Sequence, residues 1–532
     1  MSHRVTSRAW LVIICVMVVS VARMPVSAQA SGLTPQERRG REIYLRGVSP
    51  SGQTLGAILG DSEVELPASS LACVNCHGRD GAGRPEGGVT PSTITWEALT
   101  KPYGVTHASG RRHPPYTKRL VQRAITAGLD PAGHRLHAAM PRYRLAQSDA
   151  GDLIAYLKRL GKETDPGLTG IGIRLGVTLI TDGPFAELSR SVKALLSAYF
   201  DEVNQQGGIF NRRIDLRCAE SSGSPAARTK ALRAAFDEDQ VFAWVGAFTA
   251  GADEAFASLL REKEVPLVGA LTLHSPLGSP PNPYLFYLSS GLKDQCAVLA
   301  IFAAERHAAE NPPAAIIHTG EGPTREAVAE IQRRCRAVGW EAVEEVEVPR
   351  AGFSAASLVR RLSDRGTRLV FFLAPSEVQE AWVELARELD WHPAYFVPGS
   401  LAGRRIVDAP VKSAAQVFLS VPSLPADQTA EALAEYRQLA KTYRLPTDHL
   451  ASQLMALASA KVLVEGLKRA GREVSREKLV AALESLYQFR TGLGPPVTFN
   501  ANQRVGAPGA YVVAVDGQAG QLVPVSQWIN PQ

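Results

Sequence analysis

Cys73-Val74-Asn75-Cys76-His77 is the most informative stretch in this chain of 532 residues. Two thiols with a two-residue gap and a histidine directly behind them form the C-x-x-C-H pattern of covalent c-type heme attachment. The spacing is a chemical requirement. The thiols add across the two vinyl groups of one porphyrin, and the adjacent imidazole then lies beneath the iron as an axial ligand. The competing readings are a redox-active C-x-x-C and half of a zinc site. A zinc site needs a second thiol or imidazole pair nearby, and no further cysteine occurs before Cys218. The pentapeptide therefore points to one covalent heme c, bound through Cys73 and Cys76 with His77 on the iron.

The sixth iron ligand follows by elimination. Of the five methionines, Met1, Met17 and Met24 lie in the N-terminal leader, and only Met140 shares the heme segment. Pro141 follows it, and its fixed φ and missing N–H favour a stiff loop over a helix. His107, His113, His134 and His137 are the alternatives, with surface or propionate-side roles suiting each. Two filled axial positions leave no open site for oxygen, peroxide or substrate, which argues against heme catalysis.

Arg4 and Arg8 precede an apolar run from Ala9 to Val21, followed by Pro25 and Val26-Ser27-Ala28-Gln29-Ala30. That is the layout of a secretory signal peptide over 1–30, cleaved after Ala30. The run is too short for a comfortable membrane span, and no later segment is read as one. The mature protein is expected in the periplasm. Apolar residues make up 45% and charged residues 21%, which excludes a wholly disordered or polytopic membrane protein. Six cysteines in this length exclude a disulfide-dense scaffold. The net charge of +6 is uneven: residues 33–165 carry +5 and residues 166–532 carry −2. A basic segment suits an acidic periplasmic redox partner, while the lack of basic stretches interleaved with aromatics argues against nucleic acid.

Residues 161–170 are rich in Gly, Pro, Thr and Asp, as a linker would be. Beyond them short apolar strands at Ile173–Ile180, Ile214–Leu216, Phe242–Val245, Pro266–Val268, Ala314–Ile317, Leu369–Leu373, Tyr395–Val397, Val417–Leu419 and Tyr511–Val515 alternate with helical stretches. That order predicts parallel sheets covered by helices on both faces. Some 365 residues exceed one doubly wound domain, so two lobes are expected, with a ligand crevice beyond the strands' carboxyl ends. No G-x-S-x-G, Walker loop, H-E-x-x-H or G-x-G-x-x-G after a strand occurs, so an electron carrier and binding protein is expected rather than an enzyme. Cys218, Cys296 and Cys335 leave an odd thiol if one pair closes.

Two families are resembled. Thr34-Pro35 opening a helix through Tyr44, the Cys73–His77 motif, Ala139-Met140-Pro141-Arg142-Tyr143, and a last helix capped by Ser148 with Leu153, Tyr156, Leu157 and Leu160 on one stripe are similar to a class I cytochrome c. The resemblance implies a low-spin His/Met heme that transfers single electrons. Residues 47–70 are longer than a minimal member needs and read as an extra loop. From 171 onward the chain resembles the type I periplasmic binding proteins, specifically receptors of branched-chain amino acid and amide ABC importers. Gly183-Pro184-Phe185-Ala186, Val203–Ile209, Val245–Ala250, Val265–Ala270, Phe353–Val359 and Gly494–Phe499 carry it. The resemblance implies that Phe185, Thr249, Ala250, Thr272 and His274 line the first-lobe wall and that Glu321 and Ser400 face them. His274 stands where a Thr is usual, so a small polar or aromatic solute is as good a candidate as an amino acid. The expected architecture is an all-α cytochrome c domain (31–163), a linker (164–170) and a two-lobed α/β periplasmic-binding-protein domain (171–532). The expected function is an exported electron-transfer protein with a solute-binding module serving a periplasmic oxidation system. The alternative is an ABC importer receptor carrying an accessory heme.

Overall fold

A computed structural model describes residues 33–531 apart from 61–63, 84, 86, 108, 163, 250, 276–279, 308–310, 321, 350–354, 404–405, 409–415 and 517–520. The leader at 1–30, with its cleavage position, lies outside the described residues. The chain divides into two compact units at Glu163 and Thr164.

In the first unit, helices α1 (Pro35–Arg46), α2 (Cys73–His77), α3 (Trp96–Leu99), α4 (Lys118–Ala127) and α5 (Gln147–Leu157) alternate with strands β1 (Gly56–Ile58), β2 (Glu65–Pro67), β3 (Val105–Thr106), β4 (Arg112–His113) and β5 (Arg142–Arg144). Thr34 and Glu37 form a capping box, satisfying two N-terminal amides of α1. Helix α1 crosses α5 at Gly40, where a side chain would run into the Asp152 carbonyl. Arg39 closes the crossing with a two-pronged ion pair to Asp152 at 2.6 and 3.1 Å, and the Tyr44 and Tyr156 rings meet at 5.5 Å. Leu153, Tyr156, Leu157 and Leu160 are all buried, as their stripe predicts. Two expectations are corrected. Helix α5 starts two residues early, with Ala146 at its N-cap and no side-chain cap, so Ser148 does not cap it. The unit is also not all-α. The stretch read as an extra loop carries β1 and β2, which pair antiparallel, and β5 joins β1 with Ala57 opposite Tyr143.

The second unit holds two sheets, the first parallel and the second parallel apart from two antiparallel strands at one edge. The first lobe runs β6 (Gly172–Ile180), α6 (Ala186–Gln205), β7 (Arg213–Ser221), α7 (Pro225–Glu238), β8 (Ala243–Val245), α8 (Asp253–Lys263), β9 (Leu267–Val268) and β10 (Leu285–Ser289). The second runs α9 (Leu292–Arg306), β11 (Ala314–His318), α10 (Gly322–Ala337), β12 (Val343–Glu347), α11 (Ala355–Asp364), β13 (Leu369–Leu373), α12 (Ser376–Glu388), β14 (Ala394–Pro398) and β15 (Gln416–Val421). The chain then returns to the first lobe through helices Ala430–Tyr443, Leu450–Ala470 and Arg476–Glu484 and strand β16 (Val505–Ala507). It crosses back for β17 (Tyr511–Asp516) and β18 (Gln521–Pro524). Strand orders are β16-β10-β9-β8-β6-β7 and β12-β11-β13-β14-β15-β17-β18. Each sheet reverses direction beside its first strand, at β6/β8 and β11/β13, and such a switch point opens a crevice at the strands' carboxyl ends. Three chain crossings join the lobes and are tied to one another. Ser290 Oγ donates to the Gly509 carbonyl at 2.8 Å, and the Tyr511 hydroxyl donates to Asp427 at 2.9 Å. The helix Leu450–Ala470 corrects the expectation that no later segment could span a bilayer: its length and composition suffice. It is nonetheless a core helix, with Leu457, Val462, Leu463 and Leu467 wholly buried in the first lobe.

Candidate functional site

Helix α2 is only five residues long, and Gly78 at φ 72° turns the chain away immediately after His77. Cys73 and Cys76 fall three residues apart, on one helical face. His77 is buried, and its Nδ1 donates to the Ser92 carbonyl at 3.0 Å. That bond puts the proton on Nδ1 and leaves the Nε2 lone pair for a metal. Burial holds the ring's pKa below its ordinary value, and the Ser92 bond only partly offsets this. The ring is thus neutral, the form a metal needs. Two tyrosines brace the motif. The Tyr44 hydroxyl donates to the Gly78 carbonyl at 2.6 Å, and Tyr143 on β5 donates to the Leu71 carbonyl ahead of Cys73. Burial pushes the Cys73 thiol up to about 11, against the lowering effect of the neighbouring Tyr143 hydroxyl. Met140 is half-buried against the same apolar cluster as Cys73 and Val74. Its amide donates to the His137 carbonyl at 2.9 Å, and two residues later the chain enters β5. Of the four histidine alternatives, His107 and His113 have both ring nitrogens engaged, whereas His134 and His137 have Nδ1 engaged. His107 and His113 face each other at 3.0 Å, His134 meets Asp130 at 3.3 Å, and His137 accepts from the Ala139 amide. The donor set of two thiols, a pre-oriented neutral imidazole and a thioether fits a heme c.

At the crevice of the first lobe, Phe185 follows β6 and packs edge-on against Phe248 at 5.0 Å. Thr178 holds Phe248 by accepting its amide and donating to its carbonyl, at 2.7 and 2.8 Å. Thr249 is buried and donates to Asp253 at 2.8 Å. Thr272 turns its hydroxyl onto the His274 backbone at 2.9 and 3.0 Å. Both threonine hydroxyls are therefore occupied within the lobe. His274 lies 3.7 Å from Glu254 and lines a cavity of about 1030 Å³ with Arg261, Lys293 and Asp294, which Phe185, Thr249, Thr272 and Ser400 do not line. Ser400 donates to Gln295 at 3.3 Å, and Gln295 donates to Ser290 at the first crossing. Ala250 and Glu321 lie outside the described residues. The structure thus sets Phe185 against Phe248, the neighbour of Thr249, and Thr272 against His274, while Ser400 is held by Gln295 and His274 lines the cavity without the others.

Residues 172–521 match the family described as Periplasmic binding protein, and residues 68–161 match the family described as Cytochrome c. The chain belongs to the periplasmic binding protein family. Its first unit carries a cytochrome c domain, which implies heme c binding and electron transfer. No curated protein matches it in sequence. Among solved structures, a fatty acid ABC transporter substrate-binding protein from Thermomonospora curvata is similar with a TM-score of 0.56 at 18% identity, over 69% of this chain and 95% of that one. A branched chain amino acid ABC transporter protein from Thermus thermophilus with bound valine gives 0.56 at 16%, over 68% and 97%. A solute binding protein from R. palustris in complex with benzoate gives 0.52 at 16%, over 68% and 98%. These likenesses concern the fold.

In this periplasmic binding protein four roles carry no mark in the sequence: those of Ser92 and Tyr143 at the heme motif, and of Phe248 and Gln295 in the receptor unit. Each acts through a partner distant in sequence, so no local spacing marks it. The five cysteines of the described residues are all free, so no disulfide closes among Cys218, Cys296 and Cys335. Cys296 and Cys335 are buried in one core of the second lobe, where burial pushes the Cys335 thiol up to about 11.

Proposed function

We propose that this protein is an exported carrier of single electrons, holding one heme, whose receptor unit binds a small solute in the service of a periplasmic oxidation system. The observation that carries the reading is the His77 imidazole, fixed by Ser92 in the metal-binding tautomer directly behind Cys73 and Cys76. A heme held by Cys73, Cys76, His77 and Met140 supplies reversible one-electron chemistry there. The chain's own contribution is to shield that site with Tyr44, Tyr143 and the apolar cluster, and to fix the imidazole. The basic charge of residues 33–165 suits an acidic redox partner. In the receptor unit Phe185 and Phe248 offer an aromatic face, while Thr249 and Thr272 spend their hydroxyls inside the lobe. Those features favour an aromatic or other small polar solute over an amino acid, and binding over catalysis. The leader and the receptor family support a periplasmic location.

The second reading, an ABC importer receptor with an accessory heme, is favoured by the two-lobed fold. The discriminating experiment mixes the purified holoprotein with a periplasmic dehydrogenase and its substrate, with and without candidate solutes, and follows heme reduction optically. Reduction on a catalytic timescale supports the carrier. A heme that stays oxidised, in a protein that still binds solute, supports the receptor.

A further inference from the structure

Behind the axial histidine lies a side-chain cluster that the electron-carrier reading does not use. Ser92 accepts from His77 through its carbonyl, and its hydroxyl lies 3.3 Å from His107 Nδ1. His107 Nε2 in turn has two neighbours at 3.0 Å: Arg111 Nη2 and His113 Nε2. His113 Nδ1 lies 2.8 Å from the Pro114 carbonyl. These contacts constrain the protons. A guanidinium only donates, so His107 Nε2 must be the bare acceptor and the His107 proton sits on Nδ1, facing Ser92. His113 Nε2, pointing at that same bare nitrogen, must then carry hydrogen. His113 Nδ1 must carry hydrogen as well, because a carbonyl oxygen only accepts. All four contacts are satisfied together only when His113 holds both protons.

We infer that the His107–His113 pair is a proton-binding site coupled to the heme through Ser92 and His77, so that this domain takes up a proton along with its electron. The inference rests on the heme reading above. When iron(III) gains one electron to become iron(II), the positive charge at the heme falls by one. A proton taken from solvent onto the imidazole pair restores it, and oxidation releases that proton. Loss of the proton leaves one of the two His113 contacts, to His107 Nε2 or to the Pro114 carbonyl, without its hydrogen, and removes a positive charge from the cluster that reaches His77 through Ser92.

The surroundings set the range. Burial, then Arg111, then His113 hold His107 below its ordinary 6.5, and Asp130 opposes them. Arg111 is itself paired with Asp130 at 2.6 Å, Asp130 also meets His134, and Arg123 donates to the Asp130 carbonyl. The Tyr116 ring stands edge-on to His113 at 4.9 Å. These charged groups face the pair on its several sides and set the pH at which it exchanges its proton.

The test is a spectroelectrochemical titration of the full-length holoprotein between pH 4 and 8. The midpoint potential should fall as pH rises through the window in which the pair titrates and level off on either side. Each tenfold preference of the proton for the reduced state separates the plateaus by about 59 mV. In H107Q, at a half-exposed position, the slope should vanish while the reduced heme spectrum stays unchanged. H113F gives the same reading if H107Q does not fold. Independently, adding reductant to unbuffered wild type should raise the pH by up to one proton per heme at the midpoint of the window. A flat wild-type potential with an intact heme, no proton uptake, or a slope that survives in the folded variants overturns the inference. A protein without bound heme refutes the parent reading instead.

Discussion

Met140 is the residue whose side chain the electron-transfer reading can least spare, because a thioether on the sixth position closes the iron to small molecules. In the Met140→Ala protein the reduced heme should bind carbon monoxide within seconds at neutral pH, whereas the parent should not. Rapid binding by the parent would remove Met140 from the ligand set. A second residue-scale consequence concerns Asp294, at the start of α9 beside the large cavity. Burial pushes its carboxyl up to about 6, with Glu330 adding and Lys293 and Arg334 opposing. Because the folded value is above the ordinary 3.8, the folded protein binds more protons than the unfolded chain between these values, and stability falls as pH rises through that window. Asp294→Asn should therefore stabilise the protein by roughly 1–2 kcal/mol at pH 7.5. That gain should disappear below pH 4, as a pair of thermal melts will show. At this scale the sequence was readable wherever chemistry is local. Two thiols and an imidazole within five residues announce themselves, but Ser92 reaches His77 across fifteen residues and Tyr143 reaches Leu71 across seventy-two.

Where α1 meets α5, the contact depends on a missing side chain. A Cβ on Gly40 would overlap the Asp152 carbonyl and lie 2.9 Å from the Tyr156 Cβ, and both are backbone-anchored atoms that cannot swing aside. Gly40→Ala should force the helices apart and strain the Arg39–Asp152 pair. The expected loss is about 1–3 kcal/mol, visible as an earlier urea midpoint for the transition followed in the heme band. An unchanged midpoint would mean the crossing is loose. Other elements show why sequence periodicity found some parts of the fold and not others. The fully apolar strands such as Leu369–Leu373 stand out because both their faces are covered by helices. Strand β12, Val343–Glu347, is an edge strand with three glutamates in five residues, and its polarity hid it. The three residues of β1 gain their pairing from β2 and from β5, more than eighty positions away. The short apolar run Leu55–Leu59 contains β1, but nothing local marks its partners, so the region reads as a plain loop and the first unit as all-α.

Across the whole molecule, charge is the property that composition fixes and folding does not alter. Residues 33–165 carry +5, whereas the larger remainder carries −2, so the two units present opposite signs to an approaching reagent. At 0.1 M salt the screening length is about 10 Å, so the charge of the unit that holds the heme should weigh most on a reagent reacting there. Electron exchange with a small anionic metal complex should then be fast at low salt and slow by roughly tenfold or more as salt rises to about 0.5 M. A cationic complex should show the opposite trend, and a neutral one almost none. Stopped-flow oxidation of the reduced holoprotein by the three reagents measures this directly. If the charge of residues 166–532 dominated instead, the cationic complex would react faster at low salt, and an acidic partner would have to be abandoned. The sign of the salt dependence therefore selects the class of protein with which this carrier exchanges electrons.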